Sequence, residues 1–434
     1  MKYIVSDANL IDVERSCAVV EHRDIVVDGG KIAGICAHGE ADKSGYKVID
    51  ASGKFVVPGL INAHVHLFGT GMPSKILGGG SAQQKVLAFV KTKLGAKVLS
   101  ALVASSAKKQ LLSGVTTVRT VGDFYGSDIA LKRKTDAGKG GAKGLRMLVS
   151  GMAITVPGGH GAGTFARTSD TVEGLVALVD EVVAEGADLV KICVTGGVMD
   201  AKKRGEPGEV KMTFEQVKAV CDRAHALGKK VAAHVQSTEG VRIAALGGVD
   251  TIEHGAAPDE ESVKAIKERG GAFVVTYSPA LPFARLSPDV TKMNEMCKFN
   301  SEIVLQGMSA GAKAAFDAGI DVGLGTDASC PFCTQYNTWR EVVYVDKMLG
   351  VGAAKALEIA TIGNARVLGI DDVTGSVAEG KSADLLILKG DPLEDLRALR
   401  DIDGMMAQGR YIKRPRPSKM KNIEAQLDEL AEEL

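Results

Sequence analysis

Six polar side chains stand in or at the ends of apolar runs, and their types suit the binding of divalent cations. His64 and His66 close the run Val56-Val57-Pro58-Gly59-Leu60-Ile61. On a strand, residues i and i+2 point to one side, so both imidazoles can face a single ion. His234 follows Ala232-Ala233, His254 follows Thr251-Ile252-Glu253, and Asp327 follows Gly323-Leu324-Gly325-Thr326. Lys191 lies inside Leu189-Val190-Lys191-Ile192. Singly, each has an ordinary explanation: a hydrogen-bonded core histidine pair, or a lysine that pairs with a carboxylate or snorkels to water. Together they call for another, because the chain holds eight histidines and four of them close apolar strands.

Neutral imidazoles and oxygen anions bind zinc or a similar divalent ion and leave positions open for water. Such an ion lowers the pKa of water from ~15.7 to ~7. Two ions can share a hydroxide and polarise a carbonyl, with Asp327 as the catalytic proton shuttle to the leaving group. A lysine buried at position 191 is costly to keep charged and so able to lose its proton. The neutral amine can take up carbon dioxide, and the N6-carboxylated Lys191 would then be an anionic bridge between two metals.

The elements that must position these residues follow from the hydrophobic texture. Short apolar strands alternate with longer helical stretches, the pattern of repeated βα units. Eight strands are predicted: Val56–His66, Val115–Gly122, Arg146–Thr155, Asp188–Thr195, Lys230–Ser237, Asp250–Gly255, Ala272–Ser278 and Asp321–Ala328. Helices are predicted over Gln84–Leu112, Thr171–Glu185, Thr213–Leu227, Glu260–Arg269 and Glu302–Ala318. The fold class is α/β, a (β/α)₈ TIM barrel over 58–364, and nearly every polar break falls at the strand end where such barrels keep their chemistry. Short β patterns at both ends, 1–57 and 365–417, read as one small β-sandwich. The tail 418–434 reads as a surface helix or an oligomer contact.

Lesser candidates flank the six. Arg119 ends the second strand and is placed to hold an anionic substrate group or a neighbouring carboxylate. Tyr277 ends the seventh and is placed to bond substrate or to pack its ring. Cys330 and Cys333 form a CxxC just after Asp327, and Lys202-Lys203-Arg204 is a basic run after the fourth strand.

Composition excludes several classes. Lys+Arg and Asp+Glu both number 53, so net charge offers no reason to expect nucleic acid or an anionic membrane as partner. The seven cysteines lack zinc-finger spacing, and a reducing cytoplasm is their simplest setting. No long apolar run marks a signal peptide or a membrane span.

The motifs in order, VPGLINAHVH at 57–66, VTTVR at 115–119, VK at 190–191, AAHVQS at 232–237, TIEHG at 251–255 and GLGTDAS at 323–329, resemble the amidohydrolase superfamily. The resemblance implies that His64, His66 and Asp327 bind one metal, that His234 and His254 bind a second, and that carboxylated Lys191 bridges them. Within the superfamily, Gly158-Gly159-His160-Gly161 and Thr195-Gly196-Gly197 are similar to the imidazolonepropionase-like, prolidase-like group. That likeness implies two divalent metals, a small-molecule amide substrate and a homo-oligomer. In the dipeptidases of this group the counterpart of His160 and a tyrosine hold the substrate carboxylate; the tyrosine position here is Gln236. The expected reaction is hydrolysis of an amide in a dipeptide or N-acyl amino acid. The alternatives are hydrolysis of a cyclic amide or lactone, ring deamination, and a non-catalytic binding protein.

Overall fold

The computed structural model describes residues 2–74 and 81–434. The chain is α/β, with parallel strands at its centre and helices packed against them. Leu60–Val65, Val115–Thr120 and Arg146–Leu148 form one parallel sheet. Ala153–Thr155, Val190–Cys193, Val231–Val235, Thr251–His254, Ala272–Val275 and Asp321–Leu324 form a second, edged by Ala166–Thr168. Hydrogen bonds join the two sheets at both seams. The Asp188 amide donates to the Val149 carbonyl at 2.7 Å, and the His66 amide donates to the Ala328 carbonyl at 3.1 Å. The core around these strands is dominated by Val, Ile, Leu and Ala, as expected of strands covered on both faces.

Three predicted elements divide, each for a local reason. The first strand breaks at Gly59 into Phe55–Pro58 and Leu60–Val65, which pair in different sheets. A Cβ on Gly59 would lie 2.2 Å from the Thr116 hydroxyl, so only glycine lets the chain change sheets here. The third strand breaks into Arg146–Leu148 and Ala153–Thr155, with Gly151 between them at φ 64°. The long first helix becomes α1 (Ser81–Val90) and α2 (Lys93–Leu112). Thr92 ends one and caps the other, its hydroxyl accepting the Gly95 amide at 3.1 Å.

Strands from both chain ends make a single eight-stranded sheet. Its central strands are Leu385–Leu388, Phe55–Pro58 and Tyr3–Asp12, and it has its own core of residues such as Val5, Ile25, Ile387 and Met406. The C-terminal helix, Lys421–Glu432, is no free surface helix: Ile423, Leu427 and Leu430 are buried in the main core. No helix among the described residues is long and apolar enough to cross a membrane.

Candidate functional site

His64, His66, Lys191, His234, His254 and Asp327 line one cavity of about 430 Å³, together with His160 and Gln236. The four histidines of the six and Asp327 are delivered by the end of a parallel strand or the turn after it, and Lys191 by the interior of Val190–Cys193. Parallel pairing puts Cys193 beside His234, and Val235 beside His254. Strand eight comes close to strand one because residue 325 is glycine: a Cβ there would lie 2.3 Å from that of His64. His254 and Asp327 hold positive φ, 64° and 49°. Non-glycine residues rarely adopt this region, and such strain gathers at functional sites.

The histidines are oriented from behind. His64 Nδ1 lies 2.7 Å from Glu253 Oε2, His66 Nδ1 2.5 Å from the Gly122 carbonyl, and His254 Nδ1 2.6 Å from Thr276 Oγ1. His234 Nε2 lies 3.2 Å from the Gly196 carbonyl. A carbonyl or carboxylate can only accept, so the proton of each such neutral ring sits on that nitrogen and the other carries a lone pair. The lone pairs of His64 and His66, at Nε2, then face Asp327 Oδ1 at 3.4 and 3.1 Å. Three acceptors meet there, so a proton or a cation must lie between them. Burial lowers the pKa of His66, which disfavours the proton. The ligand atoms of His64, His66 and Asp327 all lie within 4.8 Å of one another, a separation that suits one metal ion.

The second half of the cluster is equally dry. Burial drives His234 and His254 well below the ordinary histidine pKa, and their rings lie 4.6 Å apart. Lys191 is 2% exposed and in no ion pair among the described residues. Burial pushes its amine pKa down as well. The imidazole of His160 stacks on that of His234, centroids 4.1 Å apart, and is hydrogen-bonded through Nδ1 to Asp200. Gln236 accepts the Val198 amide at 3.1 Å and so ties the loop after strand four to the cavity.

Two expected substrate contacts lie elsewhere. Arg119 is buried behind the cavity, its Nη2 2.7 Å from Glu253 Oε1 and its Nη1 2.9 Å from Thr251 Oγ1. Of its two sequence readings, the neighbouring carboxylate is the one observed. The side chain of Tyr277 is fully buried, its hydroxyl 3.1 Å from Ser309 Oγ, and it does not line the cavity. Cys330 does line it, with Sγ 3.7 Å from Asp327 Oδ2, while Cys333 is buried; burial raises both thiol pKa values, so both stay protonated.

The sequence reading missed Glu253, Asp200 and an aromatic wall. Glu253 was visible as a second charge inside an apolar strand, opposite in sign to Arg119. Phe68, Phe124 and Phe165 come from three separate loops. They meet over His66, with Phe68 and Phe124 4.5 Å apart and His66 and Phe165 5.4 Å apart. Nothing in their spacing announces that meeting.

The model of the Amidohydrolase family matches residues 55–412. The chain belongs to the amidohydrolase family. Among solved structures, this amidohydrolase family member is similar to a candidate prolidase from Bifidobacterium longum. The two are 37% identical, with a TM-score of 0.85, over 99% of this chain and 98% of that one. It is also similar to a Xaa-Pro dipeptidase solved with methionine in its active site: 30% identity, TM-score 0.81, 95% of this chain and 100% of that one. Among curated relatives, imidazolonepropionase from Treponema denticola is 26% identical over 89% of this chain and 91% of its own. Ochratoxinase from Aspergillus niger is 26% identical over 56% of this chain, a match that spans 49% of the ochratoxinase.

Proposed function

We propose that the chain is a metal-dependent hydrolase of carbon–nitrogen bonds, working at the mouth of a closed (β/α)₈ barrel over residues 58–364. Residues 1–57 and 365–417 would make up a small β-sandwich domain built on the eight-stranded sheet, with 418–434 as a C-terminal helix. The observation that carries this reading is the meeting of His64, His66 and Asp327, whose ligand atoms all lie within 4.8 Å of one another, close enough to share one cation. His234 and His254 would hold a second divalent ion of the zinc type, with N6-carboxylated Lys191 between the two. Two such ions, when bound, acidify water and withdraw electrons from a carbonyl.

The chain's own residues supply the rest. Asp327 Oδ1 faces the imidazoles, which leaves Oδ2 to take a proton from the attacking water and pass it to the departing amine. Glu253, Thr276 and the Gly122 carbonyl keep the rings aligned throughout. The phenylalanine wall excludes water and takes the apolar flank of the substrate. His160, fixed by Asp200, and Gln236 offer the polar contacts at the outer side. The neighbours' names, prolidase and Xaa-Pro dipeptidase, support an amide of a dipeptide or N-acyl amino acid as substrate.

A mass-spectrometric screen of the zinc-loaded protein tests this. Dipeptides and N-acyl amino acids are offered with free and with carboxamide-capped C-termini, beside cyclic amides. Cleavage of the free acids over the capped forms is the expected result and would show that a substrate carboxylate is read although Gln236 stands at the tyrosine position. Cleavage of cyclic compounds alone would favour the second reading, which the nearly full-length match to imidazolonepropionase supports. Release of ammonia without amide cleavage would mark a deaminase instead.

A further inference from the structure

The net charge of zero conceals a local asymmetry. Between Asp50 and Asp123 the chain contains no acidic residue, while nine lysines and arginines fall in the same stretch. Four of these lysines, Lys85, Lys91, Lys93 and Lys97, are exposed on α1, α2 and the corner between them. None forms an ion pair among the described residues. Large apolar side chains stand among them in the open: Phe89 is 42% exposed, Leu94 64% and Val98 50%.

Helical spacing separates this face from the packed one. On α2, Gly95, Leu99, Val103 and Ala107 face inward and are buried, while Leu94, Lys97, Val98 and Ala101 face outward. An ordinary solvated helix face carries charges of both signs and few large apolar groups. This one pairs unbalanced positive charge with protruding hydrophobic side chains, the combination that lies flat on an anionic lipid surface.

We infer that the outer face of α1 and α2 docks on anionic membrane surface, with Lys91, Lys93 and Lys97 at the headgroups and Phe89, Leu94 and Val98 among the upper acyl chains. A second copy of the chain fits this face less well. A two-fold contact sets the same patch against itself, and here that would oppose lysine with lysine. The face stands beside the cavity, since Gln83, Val86 and Leu87 of α1 help to line it. The inference is independent of the reaction proposed above, because its test reads binding alone.

The full-length, metal-loaded protein is mixed with vesicles of neutral phosphatidylcholine, or of phosphatidylcholine with phosphatidylglycerol, and the bound fraction is read by flotation. Binding to the anionic vesicles only, weakening as salt rises, is expected. At about fivefold per lysine, the K91Q/K93Q/K97Q variant loses binding about a hundredfold. L94S/V98S also releases the protein, at any salt concentration. K313Q/K347Q, which removes two exposed lysines elsewhere, leaves binding as it was. Circular dichroism and thermal unfolding confirm that the variants fold. Absence of binding, equal binding to neutral vesicles, or full binding by the triple variant overturns the inference. So does a change from oligomer to monomer in sedimentation velocity without vesicle binding, which would make this face an interface between copies.

Discussion

His64 and Arg119 share one carboxylate: Glu253 receives the His64 ring at 2.7 Å on Oε2 and the Arg119 guanidinium at 2.7 Å on Oε1. All three side chains are buried. Burial by itself would raise the pKa of Glu253, but Arg119 and His64 outweigh it and hold the carboxyl well below the usual range. Glu253→Gln leaves the guanidinium buried without its counter-charge, at a cost of about 3–5 kcal/mol. It also loosens His64, which lowers metal affinity about 10–100-fold. Thermal unfolding and metal titration followed by elemental analysis read the two effects separately. Unchanged metal affinity in a folded variant would show that Glu253 serves stability alone.

Asp327 and Lys191 have separable roles under the proposed mechanism. Asp327→Asn keeps most of the metal and loses turnover by at least about a hundredfold, the lower range for a lost proton-transfer group. Lys191→Ala loses metal, and short carboxylic acids added to the buffer restore part of it by supplying the missing oxygen anion. Normal loading of two metals by Lys191→Ala would rule out the bridge.

Acid sensitivity should begin in the terminal sheet. Asp24 is fully buried and bonded by Ser6 Oγ at 2.8 Å, the Asp7 amide at 2.9 Å, His38 Nδ1 at 2.9 Å and the Gly39 amide at 3.1 Å. Burial would raise its pKa, yet these bonds bring it down to about 2. A depressed folded-state pKa adds stability above the unfolded value of about 4, and that stability is lost as pH falls toward 2. Asp24→Asn therefore costs about 2 kcal/mol at neutral pH and little near pH 2. Denaturant unfolding at both pH values checks the difference; a pH-independent loss would assign the effect to packing.

Removal of residues 418–434 should destabilise the catalytic part of the molecule, far from any loose tail. It exposes the sites filled by Ile423, Leu427 and Leu430, each worth roughly 1.5–3 kcal/mol. It also strips Arg340, 2% exposed, of Glu424 and Asp428. The neighbouring Glu341 accepts the Tyr277 and Ser278 amides, which open the segment after Thr276, the partner of His254. The truncated chain should unfold at lower denaturant and bind metal more weakly. Equal stability would return the helix to the role of an oligomer contact.

The gathering of six polar residues in one cavity was legible in the sequence because strand periodicity is local. An HxH pair must share a side, and a lysine or histidine that ends an apolar strand must meet whatever the neighbouring strand ends present. The six clustered residues and the alternation of strand and helix follow from that rule alone. What needed the tertiary structure were relations between distant loops and the direction of long side chains. Arg119 turns to Glu253, away from the cavity, because a buried guanidinium finds its lowest energy on a carboxylate. Tyr277 packs, three phenylalanines from separate loops converge over His66, and Asp200 reaches back to His160. Each of these depends on where the backbone brings its partners, and no spacing along the chain encodes it. Net charge, likewise, is a sum over the whole chain, and it cannot show that four exposed lysines gather on α1, α2 and the corner between them.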